Sequence, residues 1–82
     1  MILVDVYVPS LDKTYDFSLN DQASIAAVIE EISEMISQNE QCEMIKNPEE
    51  LLLCSYDQRK ILDRNTCLEE NEIRSGSHLM LV

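Results

Sequence analysis

The sequence predicts an α+β fold: a mixed five-stranded sheet with one main helix packed on one face. Three observations lead there. The two ends of the chain, Ile-Leu-Val-Asp-Val-Tyr-Val at residues 2–8 and Leu-Met-Leu-Val at 79–82, are apolar runs of strand length and composition. One stretch between them, from Ser24 to Gln38, repeats its apolar residues at helical spacing. Two hairpin signals flank that helix in the chain.

The first strand alternates. Ile2, Val4, Val6 and Val8 share one face, and Leu3, Asp5 and Tyr7 share the other. Residues 9–13, Pro-Ser-Leu-Asp-Lys, form a turn, because proline cannot donate to a ladder. Residues 14–19 alternate again, with Tyr15, Phe17 and Leu19 inward. In the helix, Ile25, Val28, Ile29, Ile32, Met35 and Ile36 recur at i, i+3, i+4, i+7. Ser24 or Asp21 caps its free amides. The apolar pattern stops after Ile36, which places the helix end near Gln38.

Residues 39–50 carry no clear period, with Met44 and Ile45 as candidate anchors. Asn47-Pro48-Glu49-Glu50 suits either a helix start or a single turn. The turn is favoured because the short run Leu51 to Cys54 leads straight into a hairpin signal at residues 56–59. Residues 60–62 return as a short, charged edge strand. Residues 63–77 connect to the last strand, with Leu68 and Ile73 spaced to tuck beneath the connector. Gly76, the single glycine, is expected at positive φ in a turn.

The order is strand, strand, helix, strand, strand, strand. The terminal strands are the most continuously apolar, which argues for the sheet centre and a parallel pairing between them. This is the β-grasp architecture, with residues 1–82 as one domain. The expected core is Val4, Val6, Phe17, Ile25, Val28, Ile29, Ile32, Leu62, Leu68, Leu79 and Leu81.

Charge narrows the function. Sixteen acids against six bases give a net charge of −10. A nucleic-acid backbone or an anionic membrane surface is repelled by that charge. No apolar run approaches the ~20 residues that span a bilayer. The start, Met1-Ile2-Leu3-Val4-Asp5, lacks the basic region of a signal peptide. Three cysteines, Cys42, Cys54 and Cys67, twelve and thirteen residues apart, make neither a disulfide framework nor a zinc site. Reduced thiols packed as small apolar groups are expected, in a cytoplasmic setting.

Residues near the end of the chain carry a resemblance. Thr66-Cys67-Leu68-Glu69-Glu70-Asn71-Glu72-Ile73, followed by Ser77-His78-Leu79-Met80-Leu81, is similar to the closing turn and strand of ubiquitin. Among ubiquitin-like proteins of this size the chain resembles the bacterial YukD/EsaB family, accessory proteins of the WXG100 (type VII) secretion system. The shared features are the length, the strand beginning at residue 2, the Leu62 to Leu68 connector and the Ile73 to Ser77 turn. The resemblance implies a cytoplasmic protein-interaction module that regulates or assembles a secretion machine. It further implies a protein partner, such as a cytoplasmic domain of the secretion membrane complex. A homodimer stays open.

Catalysis is not expected. The lone His78 has no fixed Cys or Asp partner in sequence, and one glycine cannot build a phosphate loop. Three cysteines fall short of a ferredoxin cluster, and the acid pairs lack calcium-loop spacing, so no cofactor or metal is expected. The chain as written ends at Val82, with no glycine after Gly76. Conjugation or sulfur transfer through a Gly-Gly tail is therefore not expected. Two alternatives are a small acidic inhibitor that covers a basic site and a carrier lacking its tail.

Two surfaces are candidate sites. Alternation sends His78, Met80 and Val82 outward beside Leu3 and, on the third strand, Leu52, which predicts an exposed apolar patch on the open face. The alternative is that neighbouring side chains or residues 39–50 cover it. Glu30, Glu31 and Glu34 form an acidic helix face, for solubility or for a basic partner.

Overall fold

A computed structural model describes residues 1–41 and 47–82 of the chain. β1 (Ile2–Val8) and β2 (Lys13–Leu19) pair antiparallel, from Ile2 opposite Leu19 to Val8 opposite Lys13. The turn between them closes with Leu11 N donating to Val8 O and Asp12 N to Pro9 O, both at 3.1 Å. Asp12 takes φ 50, a left-handed conformation that aspartate tolerates better than most residues.

The helix α1 (Ile25–Glu40) starts where the sequence places it. Ser24, not Asp21, is the cap, its Oγ accepting from Ala27 N at 3.2 Å. The helix ends two residues beyond Gln38, and the reason is tertiary. Glu40 accepts from Tyr15 Oη at 2.6 Å and from Lys13 Nζ at 2.9 and 3.1 Å. Those bonds pin the last turn to β2, where no apolar period advertises it.

Within residues 39–50, Asn39 and Glu40 are thus helical, and Pro48–Glu50 forms one 3₁₀ turn. That single turn is the favoured reading. Cys42, Met44 and Ile45 lie outside the described residues.

β3 (Leu53–Ser55) begins two residues later than Leu51. Leu51 is buried ahead of it, and its carbonyl accepts from Arg64 Nη1 at 2.9 Å. Leu52 exchanges both backbone bonds with Val82, at 2.7 and 2.9 Å, so pairing extends past the strand. β4 (Lys60–Ile61) is the short edge, and β5 (His78–Leu81) starts one residue before Leu79. His78 joins because its N–H donates to Asp57 Oδ2 at 2.8 Å while its carbonyl accepts from Tyr56 N at 2.9 Å.

The sheet order is β2-β1-β5-β3-β4. β1 and β5 are central, adjacent and parallel, and every other pairing is antiparallel. This is the β-grasp arrangement that the sequence predicts.

All eleven expected core residues are buried. Val8, Leu19, Ile36, Leu51, Leu53 and Ile73 join them. Ser33 is also buried, and its Oγ has no hydrogen-bond partner among the described residues. In the connector, Asn71 Nδ2 donates to Thr66 Oγ1 and Cys67 O, both at 2.8 Å, holding the loop over Leu68. Gly76 has φ +93. A Cβ there would meet nothing within 4 Å, so glycine is required by backbone conformation and not by crowding. Cys54 and Cys67 are free, half-buried thiols. Burial raises the pKa of Cys54 above that of an ordinary thiol.

Candidate functional site

Because α1 covers one face of the sheet, the other face is the surface on which function can be built. Strand register orders its side chains into rows across the strands. Asp16 on β2, Asp5 on β1 and His78 on β5 form one row. Thr14, Tyr7, Met80, Cys54 and Ile61 form the next. Val82 and Leu52 continue beyond it.

The second row, Thr14 apart, is apolar, with Tyr7 and Ile61 exposed and Met80 and Cys54 half-buried. Ile61 is 61% exposed and Leu52 40%, while Tyr56, at the start of the β3–β4 turn, is 68% exposed. A depression runs between Met80, Cys54, Ile61 and Tyr56, with Arg59 and Lys60 on its rim. A second depression, lined by Asp5, Tyr7, Thr14, Asp57 and His78, meets it at Tyr56. A hydroxyl bond from Tyr7 Oη to Asp12 Oδ1, at 2.9 Å, steadies that ring. The bond and the aspartate charge hold the Tyr7 phenol above its ordinary pKa.

The first row is polar and electrostatically uneven. Asp5 and Asp16 stand directly opposite across β1 and β2. Asp16 has its pKa raised, first by a hydrogen bond shared with Asp5 and then by repulsion between the two carboxylates. His78 Nδ1 lies 3.1 Å from Asp5 Oδ2. This is an imidazole–carboxylate pair, and among the described residues no hydroxyl or thiol is bonded to the ring. Nor, among them, does any group of three His, Cys, Asp or Glu converge to hold a metal. What the face can do chemically is bind: an apolar trough beside an acidic row.

The family profile described as "WXG100 protein secretion system (Wss), protein YukD" matches residues 3–81.

The chain belongs to the YukD family.

Solved structures agree on the fold of this YukD family member. The EccD5 ubiquitin-like domain from Mycobacterium xenopi superposes with TM-score 0.78 at 21% identity, covering 99% of this chain and 91% of that one. The ubiquitin-like domain of Arabidopsis thaliana protein At2g32350 gives 0.72 at 16% identity, covering 99% and 74%. The N-terminal ubiquitin-like domain in the 4931431F19Rik protein gives 0.71 at 25% identity, covering 99% and 72%. The β-grasp roll is thus a ubiquitin-like fold. No curated protein sequence gives a significant match.

The expected site residues divide in three. Leu52, Met80 and Val82 stand together at one end of the open face, with His78 beside Met80. Leu3, though 63% exposed on the same face, is not with them. Its carbonyl accepts from Gly76 N at 2.8 Å, four residues before Met80, and the Asp16–Asp5–His78 row lies between. At ~3.3 Å per residue that separation is ~13 Å. Face membership is legible from alternation, but position along the face depends on register, which alternation does not report. Glu30, Glu31 and Glu34 are exposed on α1, pointing away from the sheet. The two candidate surfaces are therefore on opposite sides of the protein.

Sequence alone does not single out Ile61, Tyr56 and Cys54 as site residues. Ile61 was legible only as part of a short edge strand, and its place beside Met80 follows from the pairing of Cys54 with both Ile61 and Met80.

Proposed function

We propose that this YukD family member is a non-catalytic, cytoplasmic interaction module of the WXG100 secretion system. It docks on a cytoplasmic domain of the secretion membrane complex through the open face of its sheet. The observation that carries the reading is the trough at Tyr7, Met80, Cys54, Tyr56 and Ile61, a contiguous apolar surface on a chain otherwise dense in acids. Exposed apolar patches of this kind are costly to keep in a small acidic protein and commonly mark binding sites. Family membership supports the secretion setting.

Replacing the chromosomal copy with Met80→Asp and measuring WXG100 protein in the culture medium tests this. Secretion should fall while the purified variant keeps its far-UV spectrum and melting temperature. Undiminished secretion by a folded Met80→Asp protein overturns the reading.

A further inference from the structure

The charge distribution of the open face names the chemistry of its occupant. Asp5 and Asp16 are cross-strand neighbours, the arrangement in which like charges destabilise a sheet most directly. Among the described residues no Lys or Arg nitrogen lies within 4.0 Å of either carboxylate. The cation on β2, Lys13, is already bound to Glu40, and Arg64 is turned to the carbonyls of Pro48 and Leu51. His78 reaches Asp5 alone, through one ring nitrogen. The fold therefore keeps two facing carboxylates without a shared counter-cation, immediately beside the row that carries Tyr7 and Met80. Unfavourable local arrangements of this sort persist where binding relieves them.

We infer that a partner segment places an arginine across Asp5 and Asp16 and seats a large apolar side chain on Tyr7 and Met80. The inference rests on the open-face reading above and adds the partner's chemistry to it. A guanidinium suits the pair better than an ammonium. Its planar fork donates to two carboxylates at once and is more weakly hydrated. The next row lies two residues along β1 and β5, ~7 Å away. An extended segment reaches it with residues i and i+2, so an Arg-x-apolar spacing fits both rows. A metal ion is disfavoured because the three side chains of the first row do not converge. A second copy of the chain is disfavoured because it brings a further net charge of −10 to an acidic face.

The probe is a capped peptide, acetyl-Ser-Arg-Ser-Leu-Ser-amide, titrated into the ¹⁵N-labelled full chain. A twin peptide carries citrulline, which keeps the shape of arginine and removes its charge. Saturable shifts should appear at the amides of Asp5, Asp16, His78 and Met80. Affinity should drop about tenfold for the citrulline twin and for Asp16→Asn, the loss of one charge-assisted interaction of about 1.4 kcal/mol. In cells, Asp5→Asn with Asp16→Asn should lower WXG100 secretion without lowering the melting temperature. Equal shifts with both peptides, shifts centred on Glu30, Glu31 and Glu34, or no saturable shift at the first row each overturn the arginine inference. Should Met80→Asp abolish secretion while the double Asn variant secretes normally, the arginine inference falls and the open-face reading stands. Should both variants secrete normally, both fall.

Discussion

Consecutive residues of β1 sit in opposite worlds. Val4, Val6 and Val8 are closed under α1. Leu3, Asp5 and Tyr7, each one residue away, face out, Asp5 between Asp16 and His78 and Tyr7 beside Met80. On the covered face, apolar side chains meet apolar side chains, and Ser33 is the one described polar side-chain atom left without a partner. On the open face, carboxylate faces carboxylate and apolar rings face water. The covered face is organised for stability. The open face tolerates a local electrostatic cost and exposed apolar area, which makes sense where a partner completes it. The difference teaches that one strand can serve both purposes because its period of two separates them completely.

The sharpest way to break the comparison is to place the same charge on adjacent residues of β5. Leu79→Asp buries a carboxylate with no counter-charge and should prevent folding, seen as a disordered far-UV spectrum. Met80→Asp, half-exposed, should leave the protein folded. If both unfold, the two faces are not energetically distinct. Next in size, Ile29→Ala removes buried volume beneath the sheet and should cost on the order of 2–5 kcal/mol in chemical denaturation. That is a large share of the roughly 5–15 kcal/mol available to a domain.

Acid separates two carboxylates with opposite roles. Hydrogen bonds from Tyr15 and then Lys13 hold Glu40 below its ordinary pKa. Its contribution is present above the unfolded carboxylate value and is lost as pH falls through the folded one. Asp16 has the reverse sign, its pKa raised by the bond to Asp5 and by repulsion. Its pairing favours folding at low pH, and that contribution is lost as pH rises through the folded pKa. At pH 7, therefore, Glu40→Gln should lower the melting temperature and Asp16→Asn should raise it. Both differences from the parent protein should shrink as pH falls and each carboxyl protonates, that of Asp16 before that of Glu40. Two variants that shift in the same direction at pH 7 would falsify this assignment. The smallest effect belongs to Ser33→Ala. Removing a buried hydroxyl with no partner among the described residues should leave stability unchanged or raise it by about 1 kcal/mol, read as the denaturation midpoint.

Local patterning reached far in this chain. β1 ends where its alternation ends, α1 begins at the serine that can cap it, and Gly76 takes the positive φ expected of the single glycine. Even the central parallel pair is legible, because the two ends of the chain carry its most apolar strand-length runs. These are properties of a residue and its near neighbours, so sequence order contains them.

Tertiary structure decided what distance in sequence conceals. The last turn of α1 exists because Lys13 and Tyr15, more than twenty residues earlier, hold Glu40. Leu3 is exposed as alternation requires, yet register slides it to the far side of an acidic row. Ile61, on a two-residue strand too short to show a period, becomes part of the trough through Cys54. A period of two assigns each side chain to a face. Only the pairing of strands fixes its neighbours on that face, and neighbours make the binding surface.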